Sequence, residues 1–340
     1  MTIRRLLFIK AIVLSLLLHS EAGLAATAVL FSFDRPIEGT MAPFVVATTK
    51  GFFHDEDLNV TMNVAAGSQD TIARVASGRS DMALADLNAL IRYRDKDDAQ
   101  PVKAVFVLFD KAPYAMIARR QRGISGLRDI EGKTLGVAEG DLAIRMWPAL
   151  AQKNKIDTTK IKIEKISAAV REPILSAGQV DAITGFSYLS ALNLKDRGIP
   201  ASDLTVLRFS DYGSEAYGQV LIVNTTFANE HPNAVSGFIR ALVAGIRLAN
   251  KDPGRAVDDV VAQMDGASRE LELERLRAVL HDYILTDSVK ANGIGGIDPS
   301  RFKASLEEIA MDFKFHKSLS LQDIFDDRFL PPASQRGFMR

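Results

Sequence analysis

The sequence predicts an α/β fold of two lobes, the first discontinuous, with two hinge crossings and a helical C-terminal tail packed on that first lobe. Three features of the pattern lead there. From Val29 onward, short apolar runs alternate with longer stretches of helical period, the rhythm of parallel sheets with covering helices. The rhythm restarts at Tyr114, after a crossing at Lys111–Pro113. After the strand-like Val220–Val223 only helical patterns remain, and helices with an apolar face and no strands of their own must pack on a sheet made earlier.

The elements follow in order. Val29–Phe33 reads as a strand and Thr40–Lys50 as a helix, with Pro43 tolerated in its first turn and Gly51 free to cap its end. Asn59–Val64 is a second strand. Ser68 can cap the next helix, in which Ile72, Val75 and Ala76 share a face and Gly78 ends the run. Met82–Ala85 is a third strand, ending at Asp86; a helix through Tyr93 and a strand at Val102–Phe109 complete the first block. In the second block strands fall at Tyr114–Ala118, Lys133–Ala138, Ile161–Ile166, Ala182–Phe186 and Leu204–Phe209. Helices fall between them at Ile124–Ile130, Asp141–Lys153, Ala169–Ala177 and Tyr188–Asp196. A second crossing is expected at Tyr212–Gln219. In the tail, Asp252-Pro253 and Asp298-Pro299 each read as an N-cap followed by proline in the first helical position. Residues 29–111 and 217–340 then form the first lobe, 112–216 the second, and two crossings between two lobes make a hinge and a cleft.

Composition narrows the function. The chain has 340 residues, 47% of them hydrophobic, enough for about two domains. Lys plus Arg and Asp plus Glu both number 42, so no basic nucleic-acid footprint is expected. Residues 1–28 have the layout of a cleavable secretory signal: Arg4, Arg5 and Lys10, then the apolar run Ala11–Leu18, then the small residues Ala22–Ala28. The apolar run is shorter than the ~20 residues of a membrane span, though an uncleaved anchor is the competing reading. The chain has no cysteine, hence no disulfide, no thiolate metal site and no lipoprotein anchor. These features point to a soluble monomer in a Gram-negative periplasm, where ATP and reduced nicotinamide are not at hand.

Catalytic motifs are lacking. Gly126 to Thr134 resembles a phosphate-binding loop, but five residues separate its glycines where the motif needs four, and it precedes a strand rather than following one. His54, His231, His281 and His316 are scattered without metal-ligand spacing. No nucleophile elbow appears. No metal, cofactor or catalytic residue is expected.

Ligands in open α/β sheets bind beyond the carboxyl ends of the strands, and that rule selects a candidate set. With Thr40, at the helix start adjoining the first strand end, and Trp147, added as an aromatic able to stack, the set comprises Phe33, Asp34, Thr40, Ser68, Asp86 and Asn88 in the first lobe, and Glu139, Asp141, Trp147, Arg171, Glu172, Phe186 and Tyr212 in the second. The set is rich in acids, which suit an amine-bearing heterocycle; beside a bound anion a carboxylate would cost several kcal/mol. The aromatic members could sandwich a flat ring. Each residue has a plainer reading. Asp86 and Asp141 could simply cap helices, Arg171 and Glu172 could form a surface pair, and Trp147, Phe33 and Phe186 could be core.

Several blocks in order carry a family resemblance: "APFVVATTKGFFHDEDLNV", "GSQDTIARVASGRSDMALAD", "DIEGKTLGV", "REPILSAGQVDAITGF", "VNTTFANEHPNAVSGFIRALVAG" and the tail "GIGGIDPSRF…DIFDDRFLP". The chain resembles the periplasmic substrate-binding proteins of ABC importers in the taurine, sulfonate, nitrate and thiamine-pyrimidine-precursor group, over essentially its whole mature length. The tail and "REPILSAGQVDAITGFSY" are most similar to the pyrimidine-precursor branch. The resemblance implies a type II two-lobed binding fold that closes on a small solute, docks on a membrane permease and catalyses nothing. Two alternatives stay open. A sulfonate, taurine or nitrate receptor would need Arg35, Arg145 or Arg171 to dominate the cleft. A pyrimidine-precursor-synthesising enzyme shares the fold, although the export signal and the lack of cysteine oppose it.

Overall fold

The computed structural model describes residues 26–338. Two five-stranded sheets organise it. The first holds β1 (Thr27–Phe33), β2 (Leu58–Val64), β3 (Met82–Asp86), β4 (Val102–Val107) and the late strand β10 (Gln219–Asn224), in the order β2-β1-β3-β10-β4. The second holds β5 (Tyr114–Arg119), β6 (Thr134–Ala138), β7 (Lys162–Ile166), β8 (Ala182–Phe186) and β9 (Leu204–Arg208), in the order β7-β6-β8-β5-β9. In the first sheet β10 runs antiparallel to β3 and β4; in the second β5 runs antiparallel to β8 and β9. The chain leaves the first sheet after β4 and returns to it at β10, so it crosses between the sheets twice.

Helices cover both sheets: α1 (Ala42–Thr49), α2 (Ser68–Ala76) and α3 (Leu87–Arg94) in the first lobe, α4 (Leu142–Lys153), α5 (Arg171–Ser176) and α6 (Ser187–Asp196) in the second. The tail supplies α7 (Thr225–Glu230), α8 (Pro232–Lys251), α9 (Pro253–Val261), α10 (Arg269–Val279), α11 (Asp287–Asn292), α12 (Pro299–Ala310) and α13 (Leu321–Ile324). Asp252 and Asp298 cap α9 and α12, each accepting from the backbone N–H three residues on, at 3.0 and 2.8 Å. Among the described residues no helix is long and apolar enough to cross a membrane.

Several boundaries differ from expectation, each for a local reason. The strand expected at Val29 starts at Thr27, because Thr27 and Ala28 already pair with Leu58 and Asn59; residues 1–25 of the expected signal lie outside the described residues. The first helix opens as a 3-10 turn, Gly39–Met41, before Ala42. Gly67 (φ 101°), not Ser68, is the N-cap of α2, which frees the Ser68 hydroxyl for other partners. The helix expected at Ile124–Ile130 is a single 3-10 turn, Leu127–Ile130. Beyond α10 the chain widens into a π-helical turn, Leu280–Ile284.

The tail packs mainly on the first lobe. Gly245 of α8 lets that helix press on α1: a Cβ there would stand 2.1 Å from the Pro43 carbonyl oxygen. Behind this contact, Phe31 stacks at 5.3 Å on Phe44 and at 5.1 Å on Phe238 of α8. Single bridges tie Phe325 to Ala104 and Gly295 to Val107 at the β4 edge. The tail also reaches the second lobe. Arg275 of α10 donates to the Tyr188 carbonyl at 3.3 Å and to Asn193 Oδ1 at 3.4 Å, and Lys195 of α6 bonds Glu274. Arg301 of α12 pins the first crossing through Asp110 at 3.0 Å and lies 3.9 Å from the Tyr217 ring.

Candidate functional site

The carboxyl ends of β1, β3 and β8 meet where the lobes face each other. At the end of β1, Asp34 is 4% exposed and fully engaged. Arg35 grips both its oxygens, Nε to Oδ1 at 3.0 Å and Nη2 to Oδ2 at 2.8 Å. Gln219 Nε2 donates to Asp34 at 2.9 Å from the start of β10, and the Ser68 hydroxyl donates at 3.1 Å. Ser68 Oγ in turn accepts from the Asp86 N–H at 3.0 Å, so one hydroxyl joins the ends of β1 and β3.

Asp86 is the N-cap of α3. Its Oδ1 accepts from the Asn88 N–H at 2.8 Å and from the Ala89 N–H at 3.3 Å. Its Oδ2 accepts from the Tyr114 hydroxyl at 2.6 Å, a bond between the lobes. Asn88 Nδ2 donates to Tyr114 Oη and to the Tyr217 carbonyl, both at 2.9 Å. Burial pushes the Asp86 carboxyl up to about 6, against the opposing pull of these donors.

The second lobe repeats the pattern. Asp141 caps α4 through the Ala143 N–H at 2.8 Å and accepts from the Thr184 hydroxyl at 2.6 Å; burial raises its pKa. Glu172 Oε1 accepts from Ser190 at 2.7 Å and from Arg171 Nε at 3.1 Å. The Arg171 guanidinium lies over Gly185, whose missing side chain makes the room: a Cβ there would be 3.0 Å from Nη1.

Phe186 stands between the two halves, at the end of β8 and only partly buried. The Arg35 guanidinium approaches its ring centroid to 4.9 Å from the first lobe. Tyr114 and Tyr188 flank it at 5.9 and 6.1 Å between centroids. Arg35 also donates to the Tyr188 hydroxyl at 2.7 Å. Burial opposes the Arg35 charge, but Asp34 and the surrounding acids outweigh it and hold its pKa well above the ordinary value. Glu38, pushed up by burial, sits behind this group, 3.7 Å from Arg275 and accepting from Thr40 at 3.0 Å. The junction therefore sets one partly exposed ring, Phe186, between the buried rings of Tyr114 and Tyr188, framed by paired charges.

The expected residues divide. Asp34, Ser68, Asp86, Asn88, Asp141, Arg171, Glu172 and Phe186 come together at or beside the junction, while Thr40 supports it from behind. Glu139 is exposed in the turn before Asp141. Three expectations are corrected. Phe33 is wholly buried and packs edge-on against Phe31 at 5.1 Å and Phe44 at 5.3 Å, because its side of β1 faces the lobe core. Trp147 is 4% exposed and packs on Phe209 at 6.3 Å, on the inner face of α4. Tyr212 lies by the far end of α4: its carbonyl accepts from Asn154, the C-cap of the helix that Asp141 begins, about 18 Å along the axis. Gln219, Tyr114 and Tyr188 lie outside the expected set. The first two begin strands rather than end them, so the strand-end rule passes over them, though both lie at the crossings where the lobes are closest.

Among the described residues no cluster of His, Asp and Glu has the arrangement of a metal site. A family model described as "NMT1/THI5 like" matches residues 38–256. The chain is 22% identical over 303 residues to the riboflavin-binding protein RibY of Chloroflexus aurantiacus, covering 86% of this chain and 83% of that one. It is 24% identical over 292 residues to the formylaminopyrimidine-binding protein of Halalkalibacterium halodurans, 84% of each. The 4-amino-5-hydroxymethyl-2-methylpyrimidine phosphate synthase of Legionella pneumophila is 24% identical over 216 residues, covering 64% of this chain and 67% of that one. Among solved structures, the periplasmic aliphatic sulphonate binding protein SsuA of Escherichia coli superposes with a TM-score of 0.67 at 11% identity, over 92% of both chains. The ligand-binding component of an ABC-type import system from Staphylococcus aureus also gives a TM-score of 0.67, at 15% identity, over 89% of this chain and 97% of that one. These neighbours share the type II periplasmic binding protein fold.

Proposed function

This chain belongs to the NMT1/THI5-like family, and we propose that it serves there as a periplasmic receptor that delivers a flat, amine-bearing heterocycle to an ABC permease. The carrying observation is the partly exposed Phe186 ring at the lobe junction, with Arg35 over it and Tyr114 and Tyr188 at its sides. A planar ring laid on Phe186 gains stacking worth roughly 0.5–1.5 kcal/mol beyond burial of area. Rotation of Arg35 off the ring opens that face and leaves Asp34 to accept from ring-borne N–H groups, each such charged bond contributing roughly 1.5–3 kcal/mol. The two binding-protein relatives, named for riboflavin and a formylaminopyrimidine, fit that chemistry, and their alignments cover more of both chains than the synthase alignment does.

A sulfonate or nitrate receptor is less well supported at this junction. Arg35 and Arg171 are each already neutralised by an adjacent carboxylate, Asp34 and Glu172, at 2.8 and 3.1 Å. The synthase name of other relatives keeps an enzyme as the second reading. One experiment separates them: mass spectrometry of small molecules released by denaturing freshly purified protein, followed by melting-temperature shifts with the compounds found. Native-state binding raises the melting temperature and leaves the compound unchanged. Conversion of the compound on incubation would replace the receptor reading with the enzymatic one, and no shift with any flat heterocycle would sink it.

A further inference from the structure

Beside the Phe186 junction lies a cavity of about 520 Å³, walled by Gln69, Ala89 and Arg92 of the first lobe, Gly140 and Arg145 of the second, and Phe313 of the tail. It adjoins the junction directly: Ala89 follows Asn88, and Gly140 precedes Asp141. Its charges do not balance. Arg92 of α3 and Arg145 of α4 both approach the same oxygen, Asp312 Oδ2, at 3.3 and 3.5 Å. Lys96 is a third cation in the wall. One carboxylate thus faces two guanidinium groups.

Arg92 is also short of partners. Its side chain is 16% exposed and lies 4.9 Å from the Phe313 ring centroid, yet neither Nε nor Nη2 has a hydrogen-bond partner among the described residues. Its Nη2 contact with Asp312 is an ion pair without hydrogen-bond alignment. Two buried donors left unmade are costly, and a guanidinium presents them in the fork that matches an oxyanion. Burial, and then Arg145, lower the Arg92 pKa against the pull of Asp312, as expected for cations brought together with too few anions. Arg145 is the freer of the two, 55% exposed and on the opposite lobe.

We infer that Arg92 and Arg145 form an oxyanion subsite between the lobes, which takes a phosphate, sulfonate or carboxylate group. Because one arginine comes from each lobe, the anion is held by both only when the lobes are together. The anion comes either as a substituent of the solute or as a free ion bound next to it. Only that choice of source rests on the receptor reading; the subsite itself does not.

The test is titration of the purified chain with inorganic phosphate at low ionic strength, by calorimetry, with chloride as the control. Saturable binding is expected, weakened roughly tenfold or more by Arg145→Gln and by Arg92→Gln, the loss of one charged hydrogen-bonding partner. Arg145→Gln changes an exposed residue, so it tests the site even if Arg92→Gln does not fold. An aminopyrimidine with and without a phosphate ester then separates the sources. If Arg145→Gln weakens only the ester, the anion belongs to the solute; if free phosphate tightens the unesterified ring, the ion is separate. Absence of phosphate binding at tens of millimolar, or binding that Arg145→Gln leaves unchanged, overturns the proposal. Neither result touches the heterocycle reading, which phosphate alone does not probe.

Discussion

Arg35 reaches across the lobe boundary to two aromatic residues at once, with its guanidinium 4.9 Å from the Phe186 ring centroid and its Nη1 2.7 Å from the Tyr188 hydroxyl. Asp34, itself held by Gln219, anchors it from the first lobe, so the arrangement reports the distance between the lobes. In the receptor reading proposed above, a solute on Phe186 displaces Arg35, and that exchange couples binding to closure.

Phe186→Ala is expected to weaken heterocycle binding by roughly two- to tenfold, the order of a lost stacking contact. Because Phe186 is partly exposed, stability should fall less than for a core phenylalanine such as Phe33. Calorimetric titration and urea unfolding of both variants would read the two effects. Equal affinity in Phe186→Ala and the wild type would remove Phe186 from the site.

Tyr188→Phe deletes the hydroxyl that accepts from Arg35 and keeps the ring. A charge-assisted bond of this kind is worth roughly 1.5–3 kcal/mol, so the solute-free protein should open. Small-angle scattering should give a larger radius of gyration without solute and a return to the compact value with it. An unchanged scattering curve would show that other contacts between the lobes suffice.

Asp86 gives a pH signature. Its pKa is about 6 in the folded protein against an ordinary carboxylate value when unfolded, so the folded state binds the proton more tightly. Its contribution is fully present below about pH 4 and is lost as pH rises through 6, an amount of about 3 kcal/mol. Asp86→Asn keeps an acceptor for the α3 N–H groups and does not titrate. The stability difference between the variant and the wild type should therefore shift in the variant's favour between pH 4 and pH 7. Urea midpoints across that range test it; parallel curves would mean that Asp86 stays ionised throughout.

Gly245→Ala would push a methyl group to 2.1 Å from the Pro43 carbonyl, a contact that must separate α8 from α1. Overpacking of this kind typically costs about 1–3 kcal/mol, and a backbone neighbour cannot yield as a side chain does. The melting temperature should fall by several degrees with the heterocycle affinity retained in the folded fraction. A wild-type melting temperature would contradict the close packing of these helices.

The legible part of the site was the part that follows from strand direction. The strand-end rule selects Asp34, Ser68, Asp86, Asp141 and Phe186, and the chain brings them to or beside one junction. Orientation was not legible. Phe33 and Phe186 both end strands in similar apolar runs, yet one points into the lobe core and the other to the junction, since a strand alternates its faces and the sequence does not say which face meets which lobe. Trp147 sits on a helix expected from the sequence, but packing alone decides that its ring turns to Phe209 and away from the cleft. The acids carried a chemical meaning in the sequence, and the structure divides it: Asp86 and Asp141 are helix caps, and Asp34 and Glu172 neutralise arginines.

By itself the sequence determined the two α/β blocks, the two crossings and the helical tail, because strand and helix periods are local and the tail's apolar faces require a sheet elsewhere in the chain. Only the tertiary structure decided the partners. That Arg35 meets Phe186, that Gln219 returns to Asp34 from 185 positions away, and that Arg92 and Arg145 share one oxygen of Asp312 all depend on how two sheets are set against each other. Hydrogen bonds and ion pairs act over a few ångströms, and no local pattern in the chain encodes which distant residues will be brought that close.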